Sequence, residues 1–370
     1  MFNTVMAKHM VFEKCPNADV AAEVREFKTI DIVKRLGVIS PNHIHLKNYP
    51  IANPVSAFNA SCLVDLSSNT VYVYARIILG YYMYVSAIAL MEIPLDDVLS
   101  GSVSFCHYPA AIVLYPSIRY DIWGTEDPRV QEINGRVYML YAGRTISYFN
   151  PAVRRERTLP ILVMCQESRQ CVKIGAIVLK KGLRELTISD KDAVLLDVGE
   201  QDWVFVLHRP HLINERHYLT ASIIPRAALE PSGSVKEIEV HNTKVVLEPA
   251  KFELKLGWAT PPVVLGPNEY LILIHGVDKE IECYRAFAAL LRYDKDLGLR
   301  VVAVTPCYIL EPRMMYEVYG DRPFVVFPCG MCRIGKSELL VVYGAADYVI
   351  GFGLINMDDL MALLDKGRLE

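Results

Sequence analysis

The sequence predicts an all-β chain closed into a five-bladed β-propeller with a short C-terminal helix, and two observations carry that prediction. First, one apolar run rich in β-branched and aromatic residues returns five times. It reads VYVYAR from residue 71, VYMLYAGR from 137, WVFVLHR from 203, YLILIH from 270 and LLVVYGAAD from 339, at intervals of 66, 66, 67 and 69 residues. Second, turn chemistry (SSNT, NGR, GEQD, GPNE, GKSE) and a further apolar run precede each copy, so every unit contains a β-hairpin. A period of this length, repeated five times, closes most naturally as a radial array of blades.

The elements follow in order. Residues 20–36 (VAAEVREFKTIDIVKRL) read as a short helix or as edge elements. The blades run from about 50 to about 355. Because blades do not fold singly, the expectation is one propeller domain over 1–370, its ring closed by the N-terminal segment and the C-terminal helix. The segments 157–166 and 171–179 read as outer strands of a blade. The most apolar stretch, 77–91, is bounded by Arg76 and Glu92 and interrupted by Gly80. It is shorter than the roughly 20 residues of a membrane helix. The tail 357–367 (MDDLMALLDKG) has apolar residues at helical spacing, an acidic first turn and a terminal Lys-Gly.

Composition narrows the function classes. Hydrophobic residues make up 52% of 370, enough for a large core, and the net charge of −3 comes with no basic run. Nucleic acid and membranes are therefore not expected partners, and self-association into a homo-oligomer stays open. No leader-like N-terminus is evident. Nine cysteines show no paired framework, which suggests reduced thiols and a cytoplasmic location. The Cys329-Gly-Met-Cys332 pair stands alone, without a second pair at zinc-finger spacing, so packing is expected there and no metal.

The repeat also points to chemistry. Its second strands end in Arg76, Arg144, Arg209, His275 and Asp347, and the first strands begin with Asn59, Asp127, and Lys191 with Asp192. A hairpin brings the start of its first strand to the end of its second, so five hairpins around an axis gather these groups at one mouth. In GTEDPR (124–129), strict strand alternation turns Glu126 and Asp127 to opposite faces, puts Arg129 beside Asp127, and makes Pro128 fit a strand start. Lys191, Arg209, Lys255 and His275 form a cationic group that desolvates badly without an anion, and phosphate suits it. There is no P-loop or dinucleotide fingerprint, no GxSxG and no HExxH.

FNAS with YAR, GTEDPR, KDAVL with LHRP, KLGWATPP with LIHGV, YRAFAALL, and FPCG with VVYGAAD resemble glycoside hydrolase family 130, in that family's order, over roughly residues 50–355. The resemblance implies a five-bladed propeller and an inverting β-mannoside phosphorylase that uses inorganic phosphate as co-substrate, with no cofactor and no metal, to release α-mannose 1-phosphate. It implies Asp127 as the single catalytic acid, acting through the sugar's 3-hydroxyl. Asn59, Arg76 and Asp347 would hold the mannose, and Lys191, Arg209, Lys255 and His275 the phosphate, with His217 a looser match to a sugar contact. Lys191-Asp192 departs from the family's common Arg-Asn, which removes a bidentate fork and adds a negative charge beside the expected dianion. Phosphate is already a nucleophile, so one carboxyl group suffices where a hydrolase needs two. The alternatives are a β-mannosidase-type hydrolase, with Asp192 or Glu269 as the second carboxylate, and a non-catalytic glycan-binding propeller.

Overall fold

The computed structural model describes residues 11–147, 149–166 and 170–369. Its strands form five separate sheets, each built outward from a central axis by antiparallel hairpins. Blade I runs through Ser56–Asp65, Thr70–Ile78, Ser86–Pro94 and Tyr108–Leu114, and blade II through Thr125–Ile133, Arg136–Arg144, Thr158–Gln166 and Gln170–Val178. Blade III comprises Thr187–Leu196, Trp203–Leu212, Leu219–Pro225 and His241–Leu247, and blade IV Glu253–Trp258, Glu269–Asp278, Tyr284–Asp294 and Gly298–Val304. Blade V takes Val326–Arg333, Glu338–Ala345 and Val349–Asn356, and completes itself with Val33–Ile39 from near the N-terminus. The ring is therefore closed by strand pairing between distant parts of the chain.

Period-two alternation builds the core. On the second strand of blade V, Leu339, Val341 and Tyr343 pack towards blade IV, while Leu340 and Val342 pack towards blade I. The same division holds at the other seams, so that each of the five main apolar clusters is shared by two neighbouring blades. A blade buries its faces only against its neighbours, which is the physical reason that the repeat must close.

The 20–36 region supplies both alternatives, the end of a short helix (Ala18–Glu23) and the start of the edge strand Val33–Ile39. The C-terminal helix, Met357–Lys366, is capped by Asn356, whose side chain accepts from the backbone N–H groups of Asp358 and Asp359. It buries Leu360, Leu363 and Leu364 against blades IV and V. The apolar stretch 77–91 spans the turn between two strands of blade I, and no helix among the described residues is long and apolar enough to cross a membrane. One pair of cysteines corrects the expectation of reduced, unpaired thiols. Cys165 and Cys171 are cross-strand partners in blade II and form a disulfide, because antiparallel pairing brings their Cα atoms to 4.0 Å. Cys329 and Cys332 pack as expected: Cys329 is buried, and the Cys332 Sγ lies 3.7 Å from the Cys62 Sγ of blade I.

Candidate active site

Every innermost strand carries a register irregularity near its start: between Phe58 and Ser61, Glu126 and Arg129, Lys191 and Val194, Glu253 and Lys255, and Pro328 and Gly330. In the first three blades the bulged residue is polar and left-handed, Asn59 at φ 45°, Asp127 at φ 51° and Asp192 at φ 54°. Asn and Asp tolerate this conformation better than other side chains, and a bulge re-aims a side chain at the rim of a sheet. Three short polar groups thus converge on the axis from adjacent blades. Asp347, at φ 52°, approaches from the turn after the second strand of blade V.

Asp127 lies at the centre of this arrangement and is 4% exposed. Its Oδ1 accepts from Asn59 Nδ2 at 2.8 Å and from Arg76 Nη1 at 3.0 Å. Burial works to raise its carboxyl, but the charges of Arg76, Lys191 and Arg129, with the Asn59 bond, hold it below the usual carboxylate range. Asp347 is half-buried and shifts the other way, pushed up to about 6 by burial against the pull of Arg76 and with the push of Asp127.

Two geometric expectations fail here, both because the bulge breaks strand alternation. Glu126 does not turn away from the site: its Oε1 accepts from Arg76 Nη2 at 2.9 Å and lies 3.0 Å from Arg144 Nε. Arg129 does not clasp the Asp127 carboxylate. It donates to the Asp127 carbonyl oxygen at 2.9 Å and pairs instead with Asp192 at 3.1 Å. Pro128 stands in the bulge inside the strand, where no ladder N–H is required.

The predicted cations gather on blades III and IV, around a carboxylate. Lys191 and Arg209 face each other across the blade III hairpin, as Gly257 and His275 do in blade IV. Arg209 Nη2 lies 3.1 Å from Asp192 Oδ2, and His275 Nε2 lies 3.4 Å from the same oxygen. Burial opposes the Asp192 charge, but Arg209, His275 and Arg129 hold its carboxyl well below the ordinary range. Burial lowers the His275 imidazole to about 4. Burial, with repulsion from Arg209 and Arg322, lowers the Lys255 ammonium to about 8. The Lys255 Nζ sits 5.6 Å from the Tyr284 ring centroid, with the Arg322 guanidinium 4.7 Å from the same ring. His217 stacks on His211 at 4.0 Å, near these cations. Two motif glycines clear the space: a Cβ at Gly257 would collide with His275 Nε2 and Asp192 Oδ2, and one at Gly344 with Asn59.

Five groups escaped the sequence reading of the site: Glu126 and Arg144 as a linked pair, Arg129 as the partner of Asp192, and Tyr284 and Arg322 beside Lys255. Tyr284 stands in the quoted YRAFAALL string and Arg144 ends a recurring strand, so both were visible as positions. Glu269 lies outside the cluster, at the far, turn end of its strand, paired with Arg292.

Comparison with known proteins bears on the same architecture. A family model described as β-1,4-mannooligosaccharide phosphorylase, glycoside hydrolase family 130, matches residues 23–366. A β-1,2-mannobiose phosphorylase of Thermoanaerobacter sp. (strain X514) is 28% identical over 249 residues, 66% of this chain and 71% of that protein. A 1,2-β-oligomannan phosphorylase of the same organism is 27% identical over 241 residues, 65% and 71% of the two chains. Among solved structures, the β-1,2-mannobiose phosphorylase from Listeria innocua, in complex with β-1,2-mannobiose, superimposes with a TM-score of 0.66 at 19% identity, covering 90% of this chain and 99% of that one. That likeness concerns the fold. The family match spans all five blades, and the chain belongs to glycoside hydrolase family 130, a family of mannoside phosphorylases and related glycosidases.

Proposed function

We propose that this enzyme is an inverting glycoside phosphorylase that cleaves β-mannosides with inorganic phosphate, reversibly, to give α-mannose 1-phosphate. The observation that carries the reading is an excess of positive charge on buried and half-buried side chains. Arg76, Arg129, Arg144, Lys191, Arg209 and Lys255 gather around the fewer carboxyl groups of Glu126, Asp127, Asp192 and Asp347. Such an assembly gains from a bound anion, and Arg and Lys pair strongly with phosphate oxygens. The names of the relatives support mannobiose or a short mannan as the β-mannoside.

In this reading Asn59, Arg76 and Asp347 hold the mannose, and Lys191, Arg209, Lys255 and His275 receive the phosphate. Phosphate attacks the anomeric carbon from the face opposite the leaving sugar, which inverts the configuration. Asp127 supplies the proton for the leaving oxygen through the sugar's 3-hydroxyl. Its carboxyl is depressed in the free protein, so loading that proton is coupled to substrate: a phosphate dianion nearby offsets the cations that depress it. Asp192 adds a charge beside the expected dianion, but Arg129 and Arg209 neutralise it, and its depressed carboxyl makes it a poor base for water. No cofactor and no metal take part in this scheme.

One observation favours a second reading, a hydrolase on the same scaffold. Asp347, pushed up to about 6, has the proton affinity of a general base. The two reactions separate on the phosphate requirement. The first needs phosphate and forms α-mannose 1-phosphate. The second proceeds without it and forms free mannose.

A further inference from the structure

Glu126 is 1% exposed and has no role in the reaction as drawn above. It nevertheless occupies the middle of an alternating chain of charges. Arg144 Nε lies 3.0 Å from its Oε1, the same oxygen accepts from Arg76 Nη2 at 2.9 Å, and the other Arg76 nitrogen, Nη1, donates to Asp127 Oδ1 at 3.0 Å. The Arg76 guanidinium is thus shared, one nitrogen to each of two adjacent carboxylates. A planar fork held at two points is fixed in direction. The bulge at Asp127 makes this sharing possible, because an unbroken strand would turn the two neighbours to opposite faces.

We propose that Glu126 is a positioning residue: it holds the Arg76 fork astride both carboxylates and offsets its charge, and so keeps Asp127 able to take up the proton that it delivers. The inference rests on the reading of Asp127 as the acid. The other groups around Asp127 are Asn59 on blade I, Arg129 and Arg144 on blade II, Lys191 on blade III, and Asp347 and Cys329 on blade V, with Asp192 of blade III reached through Arg129. The nearest cations, Arg76, Lys191 and Arg129, all oppose protonation of Asp127. Glu126 engages Arg76 directly and offsets that charge at its source.

Glu126→Gln preserves shape and removes the negative charge. The Glu126 charge no longer offsets that of Arg76, and over a separation of about 6 Å at an effective dielectric of about 20 the acid's proton affinity falls at least tenfold. The experiment measures the pH dependence of kcat for cleavage of β-1,2-mannobiose in saturating phosphate, for the wild type, Glu126→Gln and Glu126→Asp. The expected result for Glu126→Gln is an alkaline limb, where the acid loses its proton, displaced about one pH unit or more downward, with kcat at pH 7 down about tenfold and the KM for phosphate within about twofold. Glu126→Asp keeps the charge and should return the limb towards the wild-type position even if kcat stays low. A Glu126→Gln enzyme with lower kcat but an unmoved limb would overturn the proposal, and so would a limb that moves upward. If the wild type releases free mannose without phosphate, the phosphorylase reading fails, yet the displacement of the limb still tests Glu126 in that reaction.

Discussion

Replacing Asp192 with Asn tests the electrostatics of the site through stability as well as rate. The carboxylate lies 3.1 Å from Arg129, 3.1 Å from Arg209 and 3.4 Å from His275, and it is 1% exposed. The His275 imidazole, lowered to about 4, is neutral at pH 7. The substitution therefore leaves two buried guanidinium groups without their shared counter-charge. Breaking a buried pair in this way costs about 3–5 kcal/mol. For a chain of this size that is a fall in Tm of about 4–6 °C in phosphate-free buffer. Phosphate entering the cationic group restores negative charge where it was lost and stabilises the fold by mass action, by about 2.7 kcal/mol at a hundredfold excess over Kd. It also no longer meets the repulsion of Asp192. The expected result is a variant that melts lower than wild type without phosphate and gains more from it, measured by thermal denaturation over a phosphate titration with chloride as the control anion. An Asp192→Asn protein that melts like wild type, or whose gain from phosphate equals the wild-type gain, would show that Asp192 is not the shared counter-charge of Arg129 and Arg209.

Three further outcomes follow from the same geometry. Asp127→Asn should lower kcat about 10²–10⁴-fold in both phosphorolysis and synthesis while leaving the KM for phosphate nearly unchanged, because Asn keeps the shape and lacks the acidic proton; steady-state kinetics in both directions checks it. Lys255→Ala should raise the KM for phosphate about tenfold or more. Because the Lys255 ammonium is lowered to about 8, wild-type kcat/KM for phosphate should decline as pH rises through about 8, a limb that the variant lacks. For Asp347, a carboxyl raised from 3.8 to about 6 contributes stability that is complete below the unfolded value and lost as pH rises through about 6. Asp347→Asn should therefore melt higher than wild type above pH 6, by up to about 3 kcal/mol, and converge with it near pH 4, while binding mannoside more weakly.

The fold was legible because the periodicity that identifies strands also packs them. Alternate residues of LLVVYGAAD face two different neighbours, and a sequence with that pattern five times over has one economical way to bury it. The convergence of strand ends on one mouth followed from hairpin geometry alone. What escaped was the local departure from that geometry. Alternation places Glu126 and Asp127 on opposite faces, and a single left-handed residue in each of three inner strands overrides it. Nothing in EDPR, KDAV or FNAS announces a bulge beyond the presence of Asn or Asp, which turns share. The partner of Arg129 was missed for the same reason, since Asp192 reaches the axis only through its own bulge in the next blade. The Cys165–Cys171 pair was missed because a count of nine gives no register, whereas cross-strand pairing does.

In the proposed reaction phosphate, and not water, takes the mannosyl group. The most direct measurement follows β-1,2-mannobiose and β-1,4-mannobiose by proton NMR with the wild-type enzyme, with and without inorganic phosphate, and reads the anomeric signal as it first appears. The expected product is α-mannose 1-phosphate from at least one of the two, formed only when phosphate is present, with one equivalent of mannose released. Free mannose appearing at the same rate in phosphate-free buffer, with no sugar phosphate formed when phosphate is added, would contradict it.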